Sequence, residues 1–384
     1  MNKYLIKDLM NVNRGSSPRP IIEYLSESGY RWLKISDFNL YDRFVYETKE
    51  FIKESGLKNT RYLPAGTLIL TNSATPGIPI FLGRDMCLHD GFLYFTNIKE
   101  NIININYLYY WFLYNRKLII NQANGSVFKN LKKDIVENFE ITVPDMNTQL
   151  KIVKILDDIN GKLELNNKIN NNLHELGKSI VINCENNSNN KIELNEITTF
   201  VNGYAFKNSD YNEEGIYKVI TIKNVQDGYI DSSKTDRIIQ IPNKIKKECV
   251  LNKGDVLLSL TGNVGRVGIV YETDMLLNQR VAKFNPKNNE LLPYLYFKFL
   301  NSSMRETLEN ISKGTAQQNL SPVETLRLKV PFNEVMIQKS KPILNSIYKK
   351  IINLKIETKQ LSLLRDELLP KLMNDEIDLD KIEI

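Results

Sequence analysis

A chain of 384 residues that is 42% hydrophobic and 25% charged is too long for one hydrophobic core and too apolar to be disordered, so two folded domains with connecting elements are expected. Its net charge of +6 tolerates a polyanionic partner without requiring one. No apolar run reaches the roughly 18 residues of a membrane span, residues 1 to 8 lack a signal-peptide pattern, and three scattered cysteines (Cys87, Cys184, Cys249) offer neither a disulfide framework nor a metal site, so a cytoplasmic protein with no membrane contact is expected.

In chain order, Tyr4 to Met10 reads as a short helix or strand and Asn13 to Pro20 as a loop. Trp32 to Ser36 alternates as a strand should. Leu63 to Gly66 is a turn before the strand Thr67 to Leu70, and the polar loop Thr71 to Gly77 leads into a strand at Ile78 to Leu82. Phe92 to Phe95 is another strand, and Asn106 to Leu118 reads as one helix whose aromatics at helical spacing favour core packing.

From Gln149 the apolar residues Ile152, Leu156, Ile159 and Leu163 recur at steps of four and three, and Ile169, Leu173, Leu176 and Ile180 resume the stripe. The spacing predicts a helix over 149–186, too long at about 1.5 Å per residue to stand alone. Asn166 and Asn170 interrupt its seam, where buried asparagines set register at some cost in stability. The polar stretch Asn183 to Asn190 reads as a helix-poor linker.

The second half repeats the plan. Strands over Val201 to Lys207 and Tyr217 to Ile222 precede Gly228 to Ile230, the strand Leu251 to Ser259 and the Gly-rich loop Thr261 to Gly268. A second long helix follows, with Ile343, Ile347, Ile351, Leu354, Leu361, Leu364, Leu368 and Leu372 on its stripe. Gly66 and Gly77 lie 188 positions before Gly254 and Gly265, and Gly125, Asn130, Leu131 and Gln149 lie 189 before Gly314, Asn319, Leu320 and Gln338. Tyr107 to Leu113 echoes Tyr294 to Leu300, and Val143-Pro144 echoes Val330-Pro331. The reading is an internal duplication with domains at 1–148 and 187–335 and helices at 149–186 and 336–384.

Catalytic signatures are sparse. Gly262 to Gly268 lacks the Gly-Lys-Ser/Thr of a P-loop, and no Asn-Pro-Pro-Tyr or Asp-Pro-Pro-Tyr motif for adenine methylation occurs. The two histidines are isolated, His89-Asp90 reads as an ordinary loop pair, and no cofactor or metal is expected. A binding surface is easier to support, because Arg, Asn and Gln on scaffolded loops make paired hydrogen bonds to base edges. Asn72, Ser73 and Thr75 in the first half match Thr261, Asn263 and Arg266 in the second, and Lys129 and Asn130 match Gln317, Gln318 and Asn319. Gly125 and Gly314 would let backbone approach a phosphate.

The Gly254 to Ser259 strand with its loop, Lys313-Gly-Thr-Ala-Gln-Gln-Asn-Leu320, the Val-Pro exits and the terminal Leu363 to Met373 together resemble the specificity subunits of type I restriction-modification systems, over essentially the whole chain. The resemblance implies an α+β fold of two target-recognition domains separated by an antiparallel pair of long coiled-coil helices. It also implies non-catalytic recognition of a split, asymmetric double-stranded DNA site. Adenine-methyltransferase modification subunits and a translocase-endonuclease restriction subunit would be its partners. The alternatives are a coiled-coil scaffold without DNA readout, or a specificity subunit of a methylation-only system. Ser126 to Lys129 differs from Thr315 to Gln318, as two domains reading different bases should.

Overall fold

Alternating apolar strands broken by glycine turns build the same sheet twice. The computed structural model describes residues 2–38, 43–123, 130–188, 190–312 and 319–381, and divides into one unit of Met1–Gly161 with Leu363–Ile384 and another of Lys162–Ser362. In the first unit a five-stranded sheet runs in the order Asn11–Arg14, Phe92–Thr96, Leu68–Thr71, Pro79–Leu82, Phe44–Val45. In the second the order Thr198–Asn202, Val281–Pro286, Val256–Ser259, Val267–Ile269, Gly228–Ile230 matches it strand for strand, with Val225–Gln226 added at the edge. A smaller sheet also repeats. Met86–Leu88 pairs parallel with Tyr30–Leu33 and antiparallel with Arg61–Leu63, as Met275–Leu277 does with Tyr217–Ile220 and Val250–Leu251. The expected duplicated α+β architecture is therefore present.

The turns repeat to the hydrogen bond. Gly66 and Gly254 adopt φ of 83° and 90°, a left-handed conformation open to glycine, and each amide donates across the turn at 2.7 Å, to the Leu82 and Val270 carbonyls respectively. Gly77 and Gly265, at φ of 81° and 79°, likewise donate to the carbonyls of Thr71 and Ser259. These four glycines are what made the repeat visible in the sequence.

Each core is closed by an aromatic helix, Ile105–Tyr114 and Leu292–Leu300. Tyr107, Tyr110 and Phe112 in one, and Tyr294, Tyr296, Phe297 and Phe299 in the other, are fully buried, as their helical spacing suggests. The expected single helix from Asn106 to Leu118 is instead broken at Asn115, and Arg116–Ala123 continues as a second helix. Asn115 returns both its amide and its side-chain Nδ2 to the Trp111 carbonyl, the local competition that suits asparagine to helix ends.

The two long helices span Met146–Asn186 and Glu334–Met373. In the second unit they run antiparallel, for Cys184 meets Ser340 at 3.4 Å while Asn166 Nδ2 donates to Glu357 at 3.0 Å. Asn166 and Asn170 are buried in that seam. In the first unit Ile152, Val153 and Leu156 share a core with Leu368, Leu369 and Leu372. Two details differ from the sequence reading. Helix continues through Asn183 to Asn186, because Cys184 is buried and Glu185 accepts from the enclosed Lys298 ammonium. Beyond Asn170 the buried face is Gly177, Val181 and Cys184, leaving Leu176 exposed. Similarly, Leu344 is buried where Ile343 was expected, and Leu364 is exposed. Phe297 causes the first shift, since a Cβ at Gly177 would lie 2.3 Å from its ring.

Charged clasps join each globule to its helix. In the first unit Arg43 donates to Asp157 at 2.5 Å and to Asn106 at 2.8 Å while lying over the Tyr109 ring. In the second, Glu272 accepts from Lys218 at 2.6 Å, Lys359 at 2.5 Å and Ser232. Burial alone would raise the Glu272 pKa, but these donors outweigh it and hold the carboxyl near 2, below its ordinary 4.5. A depressed carboxyl stabilises the fold above its unfolded pKa, and that contribution, of order 2–3 kcal/mol, is lost as pH falls from 4.5 towards 2. Glu272→Gln should therefore flatten the dependence of melting temperature on pH in that window, and unchanged steepness would show that the clasp carries no linked proton.

Candidate nucleic-acid interface

In the second unit four segments converge on one groove. The Asn278–Arg280 turn joins Met275–Leu277 to Val281–Pro286, and its backbone is pinned from both sides: the Leu260 amide donates to the Arg280 carbonyl at 3.1 Å, and the Gln279 amide to the Tyr204 carbonyl at 3.0 Å. The Leu320 amide donates to Leu260 at 2.7 Å, and Thr261 and Asn319 form an isolated antiparallel bridge. Gly203 must be glycine here, because a Cβ would stand 2.1 Å from the Asn278 carbonyl oxygen. The result is an open groove of about 890 Å³ lined by amide, hydroxyl and guanidinium groups, among them Asn202, Thr261, Gln279, Arg280 and Asn319.

The first unit repeats the backbone and changes the chemistry. The Asn72 amide donates to Gly91 at 3.0 Å and the Leu131 amide to Asn72 at 2.7 Å, the counterparts of the Leu260 and Leu320 bonds. Gly15 takes the place of Gly203, with a Cβ again 2.1 Å from a carbonyl oxygen, that of His89. The turn is now His89-Asp90-Gly91. Asp90 is ringed by His89 at 3.0 Å, Arg19 at 3.7 Å and Arg14 at 4.0 Å, and its carbonyl accepts from Arg14 and Asn72. Burial holds the His89 pKa below its usual value, against the opposing pull of Asp90.

The residues singled out in the sequence fall into three groups. Asn72 is buried and spends its side chain on the Asp90 carbonyl, while Thr71 Oγ1 donates to the Thr75 carbonyl and the Thr75 amide to the Ser73 carbonyl, so these residues hold the shape of their own loop. Arg266 is half-buried with Nη1 given to Gln226 Oε1 at 2.7 Å. Asn263 and Asn319 are exposed, Ser73, Asn130 and Thr261 half-buried. Lys129, Gln317 and Gln318, with Gly125 and Gly314, lie outside the described residues. Sequence reading passed over Gln279 and Arg280, both exposed on the turn. The available signal was two polar residues between apolar runs, aligned with unlike residues, Asp90 and Gly91, in the other copy.

Gln149 and Gln338 were paired by offset, yet Gln149 corresponds in space to Ile337. The Asp145 and Asn333 side chains both accept from an amide three residues on, and their carbonyls from Gln149 and Ile337. Gln149 is buried, bonding Asn104, Ile102 and Pro144, whereas Gln338 is exposed.

Two copies of one backbone that carry unlike side chains on equivalent turns define a tandem repeat whose two faces differ in chemistry. The family model for the type I restriction modification DNA specificity domain matches residues 1–175 and again 186–361, and the chain belongs to that family. The type I restriction enzyme MjaVIII specificity subunit of Methanocaldococcus jannaschii is 24% identical over 363 residues, covering 87% of this chain and 83% of that one. The MjaIX specificity subunit of the same organism is 25% identical, covering 98% and 93%. The crystal structure of the S subunit of a type I restriction-modification system from M. genitalium shares the fold, with a TM-score of 0.65 at 16% identity over 97% of this chain and 95% of that chain.

Proposed function

We propose that this chain is the DNA sequence-recognition subunit of a type I restriction-modification complex, in which the matched turn and loops of each unit read one half of a split, asymmetric site. The observation that carries the reading is the pair of matched backbones with unmatched groove residues, Asn278-Gln279-Arg280 against His89-Asp90-Gly91. A scaffold that positions proteins has no reason to keep the turn geometry while exchanging the polar groups it displays. Base readout has that reason, because rigid backbone supplies register and side chains supply the hydrogen-bond pattern.

The recognition domains are assigned to 1–148 and 187–335 and the connecting helices to 149–186 and 336–384. Asn72, Ser73, Thr75, Lys129 and Asn130 on one side, and Thr261, Asn263, Arg266, Gln317, Gln318 and Asn319 on the other, are the proposed contacts. The subunit carries no chemistry itself. Adenine-methyltransferase subunits supply methyl transfer, and a translocase-endonuclease supplies cleavage where the system restricts. Mapping methylated adenines genome-wide with and without this gene tests the reading, and the expected result is loss of one split motif. Binding to a duplex bearing that motif should weaken steeply with salt, by about 10³-fold or more between roughly 50 and 200 mM if six or more phosphates are neutralised. An unchanged methylation map with salt-indifferent duplex binding would leave the scaffold reading standing instead.

A further inference from the structure

Resting on that reading, we infer that Arg280 specifies a guanine in the half-site read by the second unit. Its backbone is held by the Leu260 bond to its carbonyl and by the Gln279 bond to Tyr204 beside it, so the side chain leaves from a fixed point into the groove. The guanidinium is exposed, and among the described residues it has no hydrogen-bond or ion-pair partner. That sets it apart from the nearby arginines, since Arg266 is given to Gln226, and Arg305 to Asp227 at 2.6 Å and Glu309 at 3.3 Å. A partnered arginine must break a bond before it contacts DNA. Arg280 need not.

The neighbours decide between base and phosphate. The groove walls contributed by Asn202, Gln279 and Asn319 carry carboxamides, which read base edges and add no charge that would draw the backbone in. A rigid fork of five donors matches the two acceptors guanine presents in the major groove, the commonest specific pairing for arginine. The equivalent position in the first unit is Gly91, where a Cβ would already crowd His89 Nδ1 and Ser73 Oγ at 3.0 Å. The first unit therefore cannot make this contact, and the guanine belongs to one half-site only.

The test uses the full chain with its modification subunits. Adenine-methylation maps are taken for the wild type, Arg280→Ala and Arg280→Lys, and binding is measured to a short duplex with the mapped motif, to the same duplex with each guanine of the second half-site replaced in turn, and to a random duplex. One replacement should weaken wild-type binding by roughly 5- to 150-fold, and Arg280→Ala should show the same loss on the intact motif and indifference to that replacement. Arg280→Lys should keep affinity for random duplex yet still relax the motif at that position, because an ammonium lacks the fork. Retention of the full motif by Arg280→Ala overturns the inference, as does an equal loss on random duplex, which marks a phosphate contact. A wild type that methylates no motif overturns the DNA-recognition reading, and this inference with it.

Discussion

Glu185→Ala is expected to cost the second unit about 3–5 kcal/mol, because it strands a charge that has nowhere else to go. The Lys298 side chain is 3% exposed and Glu185 18%, and their ion pair sits beside the Tyr294 ring at the end of the central helix. Burial already lowers the Lys298 pKa, against the pull of Glu185, and without the carboxylate the folded state would favour the neutral amine. The unfolded chain would then bind the extra proton, so stability of the variant should rise as pH climbs towards the ordinary lysine value and its deficit should shrink. Replacing both partners, as Glu185→Leu with Lys298→Met, removes the desolvation penalty with the charge and should be neutral or stabilising. Both tryptophans, Trp32 and Trp111, lie in the first unit, so tryptophan fluorescence follows that unit while circular dichroism follows the whole chain. Denaturant unfolding should shift in the dichroism and stay in place in the fluorescence. A Glu185→Ala chain as stable as the wild type would show that water reaches the ammonium.

The duplication was legible in the sequence because its markers have no substitutes. Gly66, Gly77, Gly254 and Gly265 occupy left-handed turns, and the aromatic helices fill the two cores, so both survived wherever the backbone did. The helix faces beyond Asn170 were not legible. A stripe of apolar residues admits neighbouring choices of buried face, and here the decision lies with Phe297, more than a hundred residues away, seated on Gly177. The pairing of Gln149 with Gln338 failed for a related reason: identical letters drew the alignment one residue off, while the capping of Asp145 and Asn333 shows the true register. The groove was half legible. Its Gly-rich walls announce themselves as loops, but Asn278-Gln279-Arg280 contains neither glycine nor proline, and His89-Asp90 reads alone as an ordinary loop pair. The hydrogen bonds from Leu260 and Asn72, with the close approach of Gly203 and Gly15, show that these two turns are the same structural object.

Two alanine substitutions should separate the two faces. At Gly203 a methyl group would stand 2.1 Å from the Asn278 carbonyl oxygen, and at Gly15 2.1 Å from that of His89, in each case backbone against backbone with no side chain able to swing aside. Either the entering loop or the turn must move, and overpacking of this kind costs about 1–3 kcal/mol or more. The displaced turn carries Gln279 and Arg280 in one unit and Asp90 in the other, so the strain lands on the groove itself. Gly203→Ala should lower affinity for the cognate duplex by at least about tenfold, some 1.4 kcal/mol, and relax the methylated motif in one half only. Gly15→Ala should do the same to the opposite half. Because the two loops belong to different units, their effects on binding should add in the double variant, as independent sites do. If each variant instead degrades both halves of the motif equally, the grooves do not read separately, and the exchange of side chains between matched backbones needs another explanation.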